Sequence, residues 1–315
     1  MSLNKPIWKL KDWIDINKLD FNYISKVSKA YDFLKSNPDK IDWFNFSSNP
    51  AGIELIEKNQ DKINWSLLCE NPNAIKLLTE HQDKINWLRL SSNPNAIELL
   101  KKNKDNIYWE YLNENVNGLE LLINNPDKIE WNILSYMSND IKLLEKNKKN
   151  IDWYLLSANP NAIKLLEKNQ DKINWRILSA NSNAIGLLKK NQDKINWRIL
   201  SSNHNAIELL KKNPNKINWY ELSANPNAIE LLEKNQDKIN WRILSRNPNA
   251  IELLKKNQDK INWFNLSRNE GIFELDYNSM RKNNEKLEEE LIKEIMKPSR
   301  VFKDNSYDYL EILFE

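Results

Sequence analysis

The sequence predicts an all-α fold: an elongated solenoid of 22-residue helix–turn–helix repeats, about 11–12 units long, with terminal caps. Three observations predict it. Trp43, Trp65, Trp87, Trp109, Trp131, Trp153, Trp175, Trp197, Trp219, Trp241 and Trp263 recur every 22 residues without an insertion, and Phe21 holds the same register one step earlier. Each unit carries two apolar clusters at helical spacing. Each cluster is preceded by Asn or Asp, the residues that cap helix starts. A repeat array grows in one dimension, so 315 residues need not divide into separate globular cores.

The unit from Asn159 to Ala180, NPNAIKLLEKNQDKINWRILSA, shows the logic. Asn159 reads as an N-cap with Pro160 at the first helical position, where a missing N–H costs nothing. Ala162, Ile163, Leu165 and Leu166 share one helix face, and Lys164, Glu167 and Lys168 take the other. Asn169 is expected to stop the first helix in a left-handed conformation. Gln170-Asp171-Lys172 is a linker. Asn174 then caps a second helix, and Ile173 and Leu178 have the spacing of a hydrophobic staple. Trp175, Leu178 and Ser179 face inward. Such a unit is too small to be stable alone, so stacking on its neighbours is required. A leucine-rich repeat is the rival fold of similar period. Its strand needs apolar residues at alternate positions, and Arg176-Ile177-Leu178-Ser179-Ala180 places Arg where one is required.

Three regions follow: a cap or degenerate half-repeat over 1–26, the repeat array over 27–273, and a capping helix and tail over 274–315. The middle units, over 115–158, are irregular. Val116, Gly118, Met137, Ser138 and Asp140 replace parts of the NPNA start, which reads as drift or as a hinge. Gly186 reads as a tolerated weakness on an outer helix face.

The NPNAI-x-LL and DKINW-x-x-LS unit resembles a repeat of uncharacterised proteins of giant, mimivirus-like DNA viruses over about 36–267. The stretch EELIKEIMKPSRV, with Pro298 and Arg300 after a helix, resembles the closing segment of those proteins. The resemblance implies the host cytoplasm during infection, or the virion, and implies no activity.

No chemistry-bearing constellation accompanies the repeat, so the chain is expected to be non-enzymatic, with no cofactor and no metal. His81 and His204 are the only histidines and occupy non-equivalent slots. Cys69 is the only cysteine, so no internal disulfide forms, which fits a reducing, cytoplasmic setting. Four glycines form no phosphate-cradling loop. No apolar run is long enough to span a membrane, and the start of the chain lacks the apolar stretch of a secretory signal. Lys and Arg number 47 against 44 Asp and Glu, a net charge of +3. That near-balance argues against a polyanion wrapper. The expected role is therefore a scaffold for a protein partner. The alternative is a single-stranded RNA-binding solenoid. The two positions that follow each Trp vary freely, and both are expected to project from the second helix; the second includes Ile177, Ile199, Glu221 and Ile243, and the first reads Phe44, Ser66, Leu88, Glu110, Asn132, Tyr154, Arg176, Arg198, Tyr220, Arg242 and Phe264. Arg and aromatic residues are the usual anchors of interfaces. The candidate partner-binding residues are Tyr154, Arg176, Arg198, Tyr220, Arg242 and Phe264.

Overall fold

The unit is built from two very short helices joined by two 3₁₀ turns, and every piece is held by an Asn or Ser side chain. The computed structural model describes residues 6–296. In the unit that begins at Asn174, this cap residue has extended backbone and its Oδ1 accepts the amide of Ile177 at 3.0 Å. The helix Trp175–Leu178 follows. Asn181 turns the chain through Ser182–Ala184 into the second helix, Ile185–Lys190. A last turn, Gln192–Lys194, leads to the next cap. The two kinds of helix are termed the Trp helix and the Leu helix below.

Two expectations about the NPNA segment change. The α-helix of the 159–180 unit begins at Ile163 rather than Pro160, because NPNA is consumed by a tight turn. Asn169 does not adopt the left-handed conformation; its φ is −134°. It stops the helix instead with its side chain, whose Nδ2 donates to the Leu165 carbonyl at 2.7 Å.

Successive units are joined by two ladders. In the first, Ser179 Oγ donates to the Trp175 carbonyl at 2.8 Å and accepts the Asn196 amide of the next unit at 3.0 Å. Cys69 and Asn113 fill this slot with a thiol and an amide and keep both contacts. In the second, buried Asn181 donates through Nδ2 to the carbonyls of Ser157 and Asn159 in the preceding unit, at 3.2 and 3.1 Å. Asn at the equivalent positions repeats this from Asn49 to Asn269, except at Met137. The ladders satisfy backbone groups outside regular secondary structure, such as the Asn196 amide and the Ser157 carbonyl. Leu178, Leu187, Leu188 and Ala184 are buried between them. The Trp rings are half-buried and pack against the edge of this core. Phe46 stands in the Leu178-equivalent slot, and Gly52 opposite it is required, since a Cβ there would lie 2.7 Å from the Phe46 ring.

The helical-repeat solenoid is the one the period predicts, but its axis bends round until the ends meet, so the expected elongated solenoid is a closed ring. Asp20 N donates to Ser267 Oγ at 2.8 Å, the same bond that Asn262 N makes to Ser245 Oγ at 2.9 Å. Lys18 lies over the Trp263 ring at 5.0 Å, as Lys260 lies over Trp241 at 4.6 Å. The unit carrying Trp263 therefore stacks on the unit carrying Phe21 as any unit stacks on its neighbour. The repeat begins at Asp20, earlier than the expected boundary at Val27. Twelve Trp or Phe registers share one full turn, about 30° each.

At the seam the twelfth Leu helix is replaced by a two-stranded antiparallel sheet. Strands β1 (Trp8–Leu10) and β2 (Phe273–Leu275) pair with Lys9 opposite Glu274. The sheet is fastened to the first Leu helix, Tyr31–Ser36, by the Trp8 amide, which donates to Asp32 Oδ2 at 2.9 Å. No core-bearing end is left for the C-terminal segment to cover. The helix Tyr277–Ile295 accordingly lies largely in solvent, with Tyr277 71% and Ile292 58% exposed. Pro298 and Arg300 lie outside the described residues.

Candidate partner-binding surface

The Trp helices present the predicted column. Each is only about one turn long, begins at an Asn or Asp cap in most units, and is tied by its Ser to the next unit. The position after Trp is then the one that projects. Tyr154, Arg176, Arg198, Tyr220, Arg242 and Phe264 are all exposed, the aromatics by 54%, 52% and 48% for Tyr154, Tyr220 and Phe264. The following position, with Ile177, Ile199 and Ile243, is half-buried and forms an apolar floor beside them. Arg198 Nε donates to Glu221 Oε1 of the next unit at 3.1 Å.

The direction of this surface follows from spacing. Units are linked by short bonds only at the Trp helices and the NPNA turns. Leu helices meet their neighbours through long side chains, as in Lys101–Glu120 at 3.0 Å and Lys211–Glu230 at 3.4 Å. In a closed ring spacing grows with radius, so the Trp helices line the inner circumference. With neighbouring helices about 9 Å apart, twelve units leave a central opening on the order of 20 Å across.

The Trp residues themselves carry a second regularity. Lys194 lies over the Trp175 ring at 4.6 Å, and Lys172, Lys216, Lys238 and Lys260 sit likewise over the preceding Trp. The turn Lys thus covers the ring face that the core leaves open. Asn106 and Asn150 occupy the Lys slot next to Trp87 and Trp131. His81 packs against Trp65, with ring centres 5.0 Å apart, and His204 is exposed on a turn. Burial pushes the Cys69 thiol above its ordinary range. Among the described residues no group of His, Cys, Asp and Glu is placed to hold a metal ion. No helix there is long and apolar enough to cross a membrane.

The seam brings together side chains that the repeat pattern did not single out. Arg268 stacks its guanidinium 3.7 Å from the Tyr23 ring centre and 4.6 Å from that of Phe264. Arg268, Arg246, Lys26, Tyr23, Val27 and Glu270 line one pocket of about 390 Å³. Arg246 and Arg268 lie five residues after their Trp, and Lys26 five after Phe21. That column was legible in the sequence, but only closure of the ring brings Lys26 beside the other two.

The irregular middle has a structural cause. The Trp helix there extends to Met137, and Ser138 takes over the turn by accepting the Asp140 amide on Oγ at 3.0 Å. Asp140 caps the next helix by accepting the Leu143 amide. Neither Met137 nor Ser138 donates to the Asn113 and Asn115 carbonyls, so the Asn ladder is interrupted. A cleft of about 640 Å³ opens at this break, lined by Val116, Leu119, Leu134, Met137 and Ile141 among others.

No family model, no curated protein and no solved structure matches the chain.

Proposed function

We propose that the chain is a non-catalytic ring scaffold that binds a protein partner along the column from Tyr154 to Phe264. The observation that carries the reading is the exposure of Tyr and Phe at about half their surface on short, doubly laddered helices. Rigid aromatic anchors lose little entropy on binding, and aromatic and Arg residues dominate interface energetics. The Ile177, Ile199 and Ile243 floor supplies apolar contact beside them. A continuous phosphate backbone fits this column less well, because Glu221 sits beside it, in the position after Tyr220, and already neutralises Arg198. The giant-virus resemblance adds the infected cytoplasm or the virion as the place of action, which immunolocalisation during infection would test.

The test replaces Tyr154, Arg176, Arg198, Tyr220 and Arg242 together by Ser. A photo-crosslinker at position 176 of the otherwise unaltered chain should trap a defined protein in infected cells, and one at Lys189 on a Leu helix should not. The fivefold variant should keep its circular dichroism and lose that partner. Undiminished binding by the folded variant would place the binding surface elsewhere.

A further inference from the structure

We infer that the pocket at the ring seam is a second binding site, one that takes the carboxylate of an acidic peptide segment and exists only when the ring is closed. The pocket draws Tyr23 and Lys26 from the first unit and Arg246, Arg268 and Glu270 from the last two. Three of these residues are cationic. The one carboxylate among them, Glu270, is already paired with Lys29 at 3.8 Å. Among the described residues no ion pair engages Lys26, Arg246 or Arg268. Like charges brought together without compensation attract an anion.

The pocket is also pre-organised. Arg268 is held between Tyr23 and Phe264, whose rings meet edge-on with centres 5.3 Å apart. Its guanidinium is thus fixed before a ligand arrives. A guanidinium fork matches a carboxylate in two parallel hydrogen bonds, and Lys26 and Arg246 add charge from the other walls. The adjoining pocket is lined by Asp20, Asn22, Tyr23, Lys26, Asn45 and Phe264; Asp20 is engaged as a helix cap, its Oδ1 accepting the Asn22 amide at 3.0 Å, and the amides and aromatic rings suit peptide groups. The same column, five residues after each Trp, carries Glu70 and Glu114 elsewhere on the ring and no further Lys or Arg, so its cationic members are gathered at the seam. Because the walls come from opposite ends of the chain, an occupied pocket holds the ring shut.

The experiment measures fluorescence anisotropy of fluorescein-labelled hexaglutamate with the full chain at low salt. Lys26 and Arg246 are exposed, and among the described residues their side chains make no hydrogen bond, so Lys26→Glu with Arg246→Glu should fold normally by circular dichroism. This pair should weaken binding at least tenfold. Lys189→Glu with Lys190→Glu makes the same change in net charge on a Leu helix and should leave affinity within twofold. Lys26→Arg should retain it. The fivefold Ser variant of the Trp-following column should still bind hexaglutamate, which separates this site from that surface. Equal weakening by both charge-reversal pairs would reduce the effect to net charge and overturn the inference. So would tighter binding of a thymidine hexanucleotide lost through the same Lys26 and Arg246 reversal, which would make the occupant a nucleic acid.

Discussion

Replacing Asn181 by Ala should loosen the ring locally by about 3 kcal/mol. Asn181 is buried and makes three hydrogen bonds through one side chain. Its Nδ2 donates to the Ser157 and Asn159 carbonyls, and its Oδ1 accepts the Asn183 amide at 3.1 Å. After substitution the Asn159 carbonyl still holds the Ala162 amide at 3.2 Å, but the Ser157 carbonyl loses its side-chain donor. A buried polar group left without a partner costs roughly 1–3 kcal/mol, and each further lost bond about 1 kcal/mol. The control lies two residues away. Asn183 donates to the Pro160 carbonyl at 3.0 Å, a bond of equal length at an exposed position. Water replaces that partner, so Asn183→Ala should cost well under ~1 kcal/mol. Native-state hydrogen exchange is the assay, because a repeat array opens in parts. Amides of the units carrying Trp153 and Trp175 should exchange about 100-fold faster in Asn181→Ala and hardly faster in Asn183→Ala. Equal rates in the two variants would show that the Asn ladder does not hold the units together.

Three further outcomes are expected. Burial and the neighbouring Glu54 push the Tyr31 phenol up to about 12, so the folded ring favours its protonated form. This contribution to stability is complete below the ordinary tyrosine range near 10 and is lost as pH rises from there through 12; absorbance titration should show one late tyrosine, and a Tyr31→Phe chain should lack it. The Cys69 thiol should stay unreactive toward a thiol reagent at neutral pH until the protein unfolds, and Cys69→Ser should match or exceed the parent in melting temperature by restoring the Oγ ladder; rapid labelling of the folded protein would contradict its burial. Trp175→Ala should cost about 2–4 kcal/mol, at or below the usual range for a core aromatic because the ring is only half-buried, while Lys194→Ala should cost about 0.5–1 kcal/mol through loss of the contact over that ring; a larger loss from Lys194 than from Trp175, by denaturant unfolding, would refute this ranking.

What the residues disclose by themselves is local. Asn174 as a cap and Ile173 and Leu178 as buried partners follow from spacing within one unit, and the structure has all three. The projection of Tyr154, Arg176 and their equivalents followed from the helix they sit on. Asn159 was read as a helix cap; its side chain starts the NPNA turn instead and donates to the preceding unit, a role that needs the neighbour's carbonyls in place. Ser179 was read only as facing inward; it is also a hydrogen-bond relay. Asn169 was read through backbone preference, whereas its amide reaches back four residues and ends the helix without a left-handed residue. Closure was the least legible feature. It depends on the small angle between units, which arises from the difference in spacing between Trp helices and Leu helices and is encoded by no single side chain. The hints were Asp20 and Phe21 in register, and a chain that leaves the repeat at Phe273 with no Leu helix to complete the last unit.

The most direct test of the closed ring is a disulfide between its strands. Lys9 and Glu274 are partners across β1 and β2. Cα atoms opposite each other in an antiparallel pair lie about 4.5–5.5 Å apart, within the range a disulfide accepts. Lys9→Cys with Glu274→Cys, in a Cys69→Ser background, should oxidise within one chain at low protein concentration. The product should migrate as a monomer with altered mobility that reductant reverses. Failure to oxidise, or crosslinking only between chains, would mean that the two ends do not meet and that the solenoid is open.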